Sequence, residues 1–440
     1  MKKVFLVQAP VNTISGYGAH SRDIVKSLMH ALNLDEWEII INPTRWGDTP
    51  QMALNPDLPE DKKMLDLFIK GPIHKQPEVF MQITVPNEFQ QLGKFNIGVT
   101  AGIETTIASQ VWMDGLNRMD LIIVPSKHAK DVFVNTKWSQ VNQQTKAVER
   151  IITCQKPIEV LFEGIDELIY KKINDTAKLN STILDEFKQS FVTDQFLFLY
   201  VGHWIKGEFG HDRKDVATLI KSFLEAFVTE DKKPGLVLKT SSAGFSILDR
   251  DQMLNNINSI KLQVAREYRV SEKDLPNIYL LHGNLTDEEI NSLYNYYKIK
   301  AFVTFTKGEG YGRPLAEFSV TGKPIIASGW SGHLDFLHPD HTILLPGKLE
   351  KIHKSAVWEN VLIPESSWFY VDYNASKNVF KDVAKNYQKH KTRSEGQADY
   401  IKEFTFDKMT DKLKSILDAS LPKFAMPIEL KLPPLPKKEN

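Results

Sequence analysis

The chain has 440 residues, 42% hydrophobic and 25% charged, which is typical of a globular protein long enough for two large domains. Its 55 basic and 55 acidic residues leave a formal charge of zero, which argues against duplex DNA as the main partner unless a basic patch is local. The single cysteine, Cys154, excludes an intramolecular disulfide and a zinc site built on cysteine pairs.

The sequence begins with MKKVFLVQAPV, two lysines followed by a short apolar run. The run stops at Gln8 and Pro10 and lacks a small-residue cleavage site, so a buried strand explains it better than a signal peptide does. No stretch of the sequence approaches the roughly 18 uncharged apolar residues that a membrane span needs. We expect a cytoplasmic protein, as the single cysteine also indicates.

The N-terminal half repeats a short apolar run, a polar or glycine-rich turn and then a helical segment. Apolar residues at helical spacing predict helices at 22–32 and 127–133. Short β-branched runs that alternate with helices indicate parallel strands in βαβ units. The predicted strands are Val4–Gln8, Glu38–Ile41, Val79–Thr84, Phe95–Thr100, Asp120–Pro125 and Ile158–Phe162.

The pattern restarts after a polar segment at 170–192, which is the best candidate for a linker. A helix at 215–227 follows the first strand of this second half. Two similar halves predict an α/β fold of two doubly wound domains, with ligands at the carboxyl ends of their strands. The predicted strands are Gln195–Gly202, Leu236–Thr240, Ile278–His282, Ala301–Thr304 and Pro324–Ala327.

The segment KGEGYGRPLAEFS, at residues 307–319, follows a predicted strand and holds two glutamates, Glu309 and Glu317. Its glycines predict a turn whose backbone amides can approach an anion, and Pro314 suits the first turn of a helix. A helix start with free amides is a common phosphate site. Taken alone, these residues favour a plainer interpretation, a capped helix with two solvated glutamates.

Two groups of residues have the types that bind metals, and neither group is specific. Asp249 and Asp251 form a single D-x-D after a loop, a spacing that is common by chance. His333 and His338 flank Asp335, but three such residues in a loop are more often polar surface groups. We therefore predict no metal site.

The segment from Lys307 to Leu337 resembles the E-x7-E signature of the retaining glycosyltransferases of family four. These enzymes combine an EGFGLP-type turn, a helix with the second glutamate and a GKPVIAS strand, and this chain has EGYGRP, Glu317 and GKPIIAS. The resemblance implies the GT-B fold, in which two Rossmann-like domains face a central cleft. It also implies transfer of a sugar from a nucleotide-sugar donor, with retention of anomeric configuration and with no metal or cofactor.

Other segments resemble the family in the expected order. SGYGAHSRDIVKSL, with Gly16 and Gly18, resembles the glycine loop near the donor phosphates, although its spacing alone is a weak dinucleotide fingerprint. LLHGNLTDEEINSLY resembles the segment around the nucleobase and implies contacts from Asn284 and Leu285. We expect His282 in the same segment to be structural.

YVGHWIKGEFGHDRKDVATLI resembles the segment that carries the basic pair for the leaving diphosphate, which implies that role for Arg213 and Lys214. Without the resemblance, the mixed charges there favour a solvated cluster. Many members place a histidine near the donor sugar, but GVTAGIETT has none, and Glu104 is our substitute candidate. An ordinary loop glutamate is an equal alternative. Glu163 replaces the asparagine that usually precedes Gly164.

The resemblance also implies roles within the turn. Glu317 accepts hydrogen bonds from the ribose hydroxyls, and Glu309 binds sugar hydroxyls or stabilises charge at the anomeric carbon. The turn through Gly310, Tyr311 and Gly312 holds the diphosphate together with the basic pair. Front-face displacement and double displacement both stay open.

The resemblance divides the chain into an N-terminal acceptor domain at 1–180 and a donor domain at 181–385. Helices at 386–418 are expected to pack back towards the N-terminal domain, and 419–440 form a proline-rich tail. The expected partners are a nucleotide sugar and an acceptor that is a glycan, a lipid, a small molecule or DNA.

Three alternative functions stay open. The segments SGYGAHSRD and RKDVATLIKSF look closer to enzymes of large tailed phages, some of which glycosylate modified bases in DNA in the host cytoplasm. A nucleotide-sugar epimerase of the same fold would bind the donor without a separate acceptor. A non-catalytic protein with a dead donor site is the weakest alternative, because Glu309, Glu317, Arg213 and Lys214 are all present.

The assignment predicts which substitutions abolish sugar transfer. Glu317→Ala and Lys214→Ala are each expected to reduce transfer severely, because the first removes the partner of the ribose hydroxyls and the second a cation that stabilises the leaving diphosphate. Asp249→Ala is expected to do little, because the D-x-D is not a metal site. A transfer assay on the three variants checks this, and turnover that survives both of the first two changes contradicts the assignment.

Overall fold

Two parallel six-stranded sheets, each covered by helices, form the core of the protein. The coordinates are a computed structural model that describes residues 2–142, 144–189, 192–204, 207–242 and 244–424. Within these residues, no helix is both long and apolar enough to cross a membrane.

The N-terminal sheet has the strand order β2-β1-β3-β4-β5-β8, and all of its neighbouring strands run parallel. An antiparallel hairpin, β6–β7, lies outside this sheet. The strands of this half are β1 Lys3–Ala9, β2 Trp37–Pro43, β3 Val79–Ile83, β4 Phe95–Val99, β5 Leu121–Val124, β6 Trp138–Val141, β7 Val148–Ile152 and β8 Ile158–Val160. Its helices are α1 Gly16–Ala31, α2 Pro59–Asp66, α3 Gln110–Leu116 and α4 Lys127–Asn135.

The C-terminal sheet has the order β11-β10-β9-β12-β13-β14, again parallel, and a second hairpin, β15–β16, follows it. Its strands are β9 Leu197–Val201, β10 Gly235–Lys239, β11 Ile278–Leu281, β12 Ile299–Val303, β13 Ile325–Ser328, β14 Ile343–Leu345, β15 Gly347–Lys351 and β16 Ser367–Val371. The helices are α5 Ser181–Gln189, α6 Val216–Phe227, α7 Ile247–Tyr268, α8 Asp287–Asn295, α9 Arg313–Ser319, α10 Tyr373–Lys385, α11 Tyr387–Tyr400 and α12 Phe406–Ser420.

The prediction of two doubly wound α/β domains is confirmed, and every predicted strand overlaps an observed one. Central strands are buried on both faces, as in β5, where all four residues are inaccessible. This burial is why continuous apolar runs identified them. Strand order reverses beside β1 in the first sheet and beside β9 in the second, and ligands bind such sheets at these points.

The sequence analysis missed the β6–β7 hairpin, β14 and the β15–β16 hairpin. β15 reads GKLEK and is largely exposed, so it has no apolar run to identify it. The second hairpin and its loop reach the N-terminal domain, where the Ser367 amide donates to Thr106 Oγ1 at 2.9 Å. On the same side, Ser109 Oγ donates to the carbonyl oxygen of Asn360 at 2.7 Å.

The segment expected to be a linker at 170–192 is ordered against the C-terminal domain within its described residues. It contains α5, whose Phe187 is buried and lies 4.4 Å from the ring of Tyr296. Tyr170 is also buried, and its hydroxyl donates to Asp287 at 3.0 Å. The segment is polar and has too few apolar residues to show a helical pattern, so the sequence did not predict this packing.

The last described helix, α12, packs on α1 of the N-terminal domain. Thr410 and Ser27 share a hydrogen bond at 3.0 Å between their hydroxyls. A side chain at Gly164 would lie 2.6 Å from the Phe406 Cα atom, so this close approach requires glycine. Most of the proline-rich tail, 425–440, lies outside the described residues.

Candidate active site

The segment GEGYGRP connects β12 to α9 at the carboxyl end of the C-terminal sheet. Gly312 is the residue before the helix and has φ +106°, a conformation that only glycine adopts without strain. Pro314 lies in the first helical turn, as expected. The turn therefore directs the chain from a strand end into a helix that carries Glu317.

A second turn, GWSG at 329–332, holds the backbone of Glu309 from behind. The Glu309 amide donates to Ser331 Oγ at 2.9 Å, and the Gly332 amide donates to the Glu309 carbonyl oxygen at 3.0 Å. A side chain at Gly332 would lie 2.1 Å from the Gly310 carbonyl oxygen. The two turns thus fix each other, and the position of Glu309 does not depend on one loop.

The Glu309 carboxylate is buried between the two predicted cations. Its Oε2 lies 3.2 Å from Arg213 NH1, and its Oε1 pairs with Lys214 Nζ. Burial raises the pKa of Glu309, but the charges of Lys214 and Arg213 outweigh burial and lower that pKa to about 2. Glu309 is therefore ionised at neutral pH, and the cluster is not the solvated group of mixed charges that the residues alone favoured.

A buried lysine anchors the basic loop to the turn. Lys307 is fully inaccessible, and its Nζ lies 2.7 Å from Asp215 Oδ2. Its amide donates to the Arg213 carbonyl oxygen at 2.7 Å. Asp215 has φ +52° and immediately precedes α6, so the chain turns sharply there and presents Arg213 and Lys214 to Glu309. Sequence analysis did not identify Lys307 or Asp215.

Glu104 approaches this cluster from the N-terminal domain. Its Oε1 lies 3.7 Å from Arg213 NH1, on the loop that follows β4. Of the two interpretations of Glu104, an ordinary loop residue or a member of the site, the structure brings it to the site. Arg213 therefore lies between two carboxylates, Glu309 of its own domain and Glu104 of the other.

The glycines of the turn lie against the N-terminal domain. We expected Gly308 and Gly310 to let backbone amides approach an anion. A side chain at Gly308 would lie 2.0 Å from the Glu104 carbonyl oxygen, and one at Gly310 would lie 1.9 Å from that of Ala101. Both glycines therefore allow the two domains to meet, and the structure shows a closed cleft.

Glu317 lies on α9 and is buried against two hydrogen-bond donors. Its Oε1 accepts from Arg313 Nε at 3.0 Å, and its Oε2 accepts from the Tyr294 hydroxyl at 3.2 Å. Burial raises the pKa of Glu317 to about 8, because Arg313 offsets burial only in part and Asp287 adds a further negative charge. The two glutamates of the motif thus have opposite pKa shifts.

Arg313 is a residue that the sequence analysis missed. Its NH1 lies 2.5 Å from Asp23 Oδ2 on α1 and 3.6 Å from Glu163 Oε2, which follows β8. Arg313 and Glu317 have the i, i+4 spacing of one helix face, so their ion pair could have been predicted from the sequence. The partners in the N-terminal domain leave no such signal, because they are far away in the sequence.

The N-terminal glycine loop begins α1 and faces the cleft. A side chain at Gly18 would lie 2.2 Å from the Thr13 carbonyl oxygen, so this glycine serves the packing of the turn. Gly16 has nothing within 4 Å of the same position, so its surroundings are open. The Tyr17 hydroxyl hydrogen-bonds Thr100 Oγ1 at 2.9 Å and links the loop to the end of β4.

Asn284 and Leu285 follow β11 at the carboxyl end of the same sheet, as expected of residues near a nucleotide. Neither makes a described hydrogen bond to Glu309 or Glu317. His282 Nε2 donates to Asp249 Oδ2 at 2.6 Å, and Asp249 also accepts from Ser242. Asp249 is thus a structural partner of His282.

The candidate metal ligands are not assembled into a site. His333 is buried with Nε2 at 2.7 Å from the Ser328 carbonyl oxygen, while Asp335 accepts from the Lys127 amide at 2.8 Å, at the start of α4. Asp251 is exposed. Across the described part of the chain, no group of three or more histidine, cysteine or acidic residues has the geometry of a metal site.

Solved structures with similar folds cover nearly the whole chain. Sucrose-phosphate synthase from Thermosynechococcus elongatus aligns with TM-score 0.58 and 13% identity, over 95% of this chain and 99% of that one. A UDP-forming α,α-trehalose-phosphate synthase from Burkholderia xenovorans aligns with TM-score 0.58 and 9% identity, over 96% and 100%.

HepE from Anabaena, solved in complex with UDP and glucose, aligns with TM-score 0.55 and 12% identity, over 95% of this chain and 100% of that one. At such identities the likeness concerns the fold alone, and it confirms the GT-B prediction. No protein-family model matches the chain, and no curated protein sequence matches it.

The glycine contacts predict that Gly310→Ala opens the cleft. The new methyl group would lie 1.9 Å from the Ala101 carbonyl oxygen, so the domains must move apart by about 1 Å at this point or more. Double electron–electron resonance measures the distance between a spin label on Cys154 and one on an introduced Leu248→Cys. This distance should be longer in Gly310→Ala than in the wild type. Gly71→Ala, which has nothing within 4 Å, is the matched control. Equal distances in the two variants contradict the assignment.

The raised pKa of Glu317 predicts that the effect of Glu317→Gln on stability depends on pH. The folded pKa of Glu317, about 8, lies above its ordinary value of 4.5. The contribution of Glu317 to stability is therefore fully present below pH 4.5 and is lost as the pH rises towards 8, by about 1.4 kcal/mol per pH unit. Glutamine does not titrate.

The melting temperature of Glu317→Gln, relative to the wild type, should therefore increase between pH 4.5 and pH 8. Glu288→Gln, on the exposed side of the adjacent α8, serves as the control. Differential scanning calorimetry across this pH range makes the measurement. If the difference in melting temperature between Glu317→Gln and the wild type does not change with pH, burial does not raise the pKa of Glu317.

Proposed function

We propose that the protein is a glycosyltransferase that moves a sugar from a nucleotide-sugar donor to an acceptor hydroxyl, with retention of configuration and without a metal. The observation that carries the proposal is the buried cluster of Glu309, Arg213 and Lys214 at the carboxyl end of the C-terminal sheet. Glu104 faces this cluster across the closed cleft. The arrangement places two cations and two carboxylates where the fold binds its ligands.

The donor class is supported by the proteins with similar folds. HepE has been solved with UDP-glucose, and the trehalose-phosphate synthase is described as UDP-forming. We therefore propose a uridine diphosphate sugar as the first donor to test. The side chains of Asn284 and Leu285 are proposed to lie beside the base, because both follow β11 at the same edge of the sheet.

The ion pairs of Glu309 give a rationale for donor binding. A diphosphate brings two negative charges, which compete with Glu309 for Arg213 and Lys214. As those cations turn to the phosphates, the Glu309 carboxylate becomes available to the hydroxyls of the donor sugar. When the diphosphate replaces Glu309 as the partner of the two cations, every buried charge stays paired, as a low-dielectric site requires.

In the transfer step the bond between the anomeric carbon and the phosphate oxygen breaks, and the acceptor oxygen bonds to the same face of that carbon. The acceptor proton passes to the leaving phosphate oxygen. Arg213 and Lys214 stabilise the negative charge that develops on the diphosphate, so their fixed positions lower the barrier. Glu309 stabilises the positive charge on the sugar ring, and Glu104 is proposed to orient the acceptor.

Glu317 is proposed to bind the ribose. Both of its oxygens have one described donor, and a carboxylate oxygen can accept more than one hydrogen bond. The ribose hydroxyls can therefore bind without displacing Tyr294 or Arg313. Closure of the domains at Gly308 and Gly310 excludes water, which protects the donor from hydrolysis.

A thermal-shift screen with UDP and UDP-sugars tests the proposal. A ligand at 100 times its Kd stabilises the folded protein by about 2.7 kcal/mol, which raises the melting temperature measurably. Lys214→Ala should lose this shift relative to its own ligand-free value, whereas Lys221→Ala, on α6 outside the cluster, should keep it. If no nucleotide or nucleotide sugar stabilises the wild-type protein, the donor assignment is wrong.

Incubation of the protein with the donor alone separates transfer from epimerisation. An epimerase of the same fold converts the sugar without an acceptor, whereas the proposed transferase gives only slow hydrolysis. Retention is read from the anomeric configuration of the product by NMR. A rate that EDTA leaves unchanged is expected for the metal-free mechanism.

A further inference from the structure

The guanidinium of Arg313 contacts carboxylates of both domains. Its Nε lies 3.0 Å from Glu317 on its own helix, while its NH1 lies 2.5 Å from Asp23 and 3.6 Å from Glu163 in the N-terminal domain. Because guanidinium nitrogens have a fixed geometry, the position of Asp23 constrains the position of Glu317. One side chain thus connects α1, the end of β8 and α9.

The contact is buried, so its charges depend on one another. The side chains of Asp23, Glu163 and Glu317 are 14%, 9% and 9% exposed, and that of Arg313 is 22% exposed. Burial opposes the charge of Arg313, but its carboxylate neighbours outweigh burial and raise its pKa. Removal of one partner from such a pair leaves a buried charge uncompensated.

His20, on the same helix as Asp23, adds no charge beside Arg313. This histidine is 1% exposed, and neither ring nitrogen has a described hydrogen-bond partner. It faces Glu163, Asp23 and Arg313, and burial lowers its pKa, which favours the neutral ring. Arg22 on α1 also interacts electrostatically with Asp23, but its guanidinium donates to the carbonyl oxygens of Val11 and Thr13. The described ion pairs of Asp23 and Glu163 are those with Arg313.

We propose that Arg313 is a positioning residue that couples donor binding at Glu317 to closure of the cleft. The coupling to the donor rests on the proposed function, in which ribose hydroxyls bind Glu317. Hydroxyls bound to Glu317 hold its carboxylate in place, and because Glu317 and Asp23 share one rigid guanidinium, a fixed Glu317 also holds Arg313 in position for Asp23. Coupling is reciprocal, so closure also increases the affinity for the nucleotide by the same factor.

The geometry distinguishes Arg313 from Arg213, the other described cation that pairs across the cleft. Arg213 lies 3.7 Å from Glu104, whose side chain is 28% exposed, so solvent weakens that pair. The pair between Arg313 and Asp23 is shorter and more buried. Asp23 makes no described contact with Glu309 or Lys214, so it can be changed without altering the charges proposed for the diphosphate.

Two variants and one control isolate the coupling. Asp23→Asn removes the charge on the N-terminal side and leaves Arg313 paired with Glu317. Arg313→Lys keeps the charge but loses the fork that reaches both domains. Glu225→Gln is the matched control, because Glu225 is 8% exposed and pairs at 3.1 Å with Lys377 inside the C-terminal domain.

Hydrogen exchange of residues 99–105 measures closure, because Ala101, Gly102 and Glu104 in this segment lie against the glycine turn in the closed structure. Without any ligand, Asp23→Asn and Arg313→Lys should raise exchange in this segment by about 5-fold or more, a typical lower value for coupled sites, while Glu225→Gln should not. Exchange in β1 and β9 should stay unchanged, which excludes general unfolding. If Asp23→Asn behaves like Glu225→Gln here, the proposal is overturned whatever the protein binds.

The same measurement with UDP tests the coupling to the donor. In the wild type, UDP should protect residues 99–105, and in Asp23→Asn that protection should fall. The Kd of UDP, measured by calorimetry, should rise in this variant by the factor by which protection falls. An unchanged Kd overturns the coupling. If UDP and UDP-glucose bind neither the wild type nor Glu225→Gln, the proposed function fails, and the coupling to the donor fails with it.

Discussion

The buried carboxylate of Glu309, held between Arg213 and Lys214, is the interaction on which the site depends. Two cations on one loop repel each other, and burial makes their charges still less favourable. The carboxylate offsets both effects, and the two turns behind it fix its backbone. An anionic donor can therefore replace one favourable set of ion pairs with another, with no need to assemble the cations on arrival.

The two domains can close on each other because the glycine turn has no side chains at Gly308 and Gly310. Side chains at Gly308 or Gly310 would meet carbonyl oxygens of the N-terminal domain. The same segment thus gives the C-terminal domain its carboxylates and gives the N-terminal domain a surface against which to close. In the sequence this turn resembles a phosphate-binding loop. In the structure it also packs against Ala101 and Glu104 of the N-terminal domain.

Much of the fold could be predicted from the sequence, because its strands are buried on both faces and appear as apolar runs. The exposed β15 and the ordered segment around Phe187 could not, since neither has such a run. In the site, Glu309, Glu317, Arg213 and Lys214 could be predicted because the motifs that hold them resemble those of a known family. Arg313 reaches a partner on α1 through the tertiary structure, and no local pattern indicates that contact.

A crystal structure of the protein with UDP bound tests the central claim most directly. The account predicts a diphosphate within ion-pair distance of Arg213 and Lys214, a ribose on Glu317, and Glu309 released from at least one of its two cations. A nucleotide bound elsewhere, with Glu309 still paired to both cations, would contradict the account.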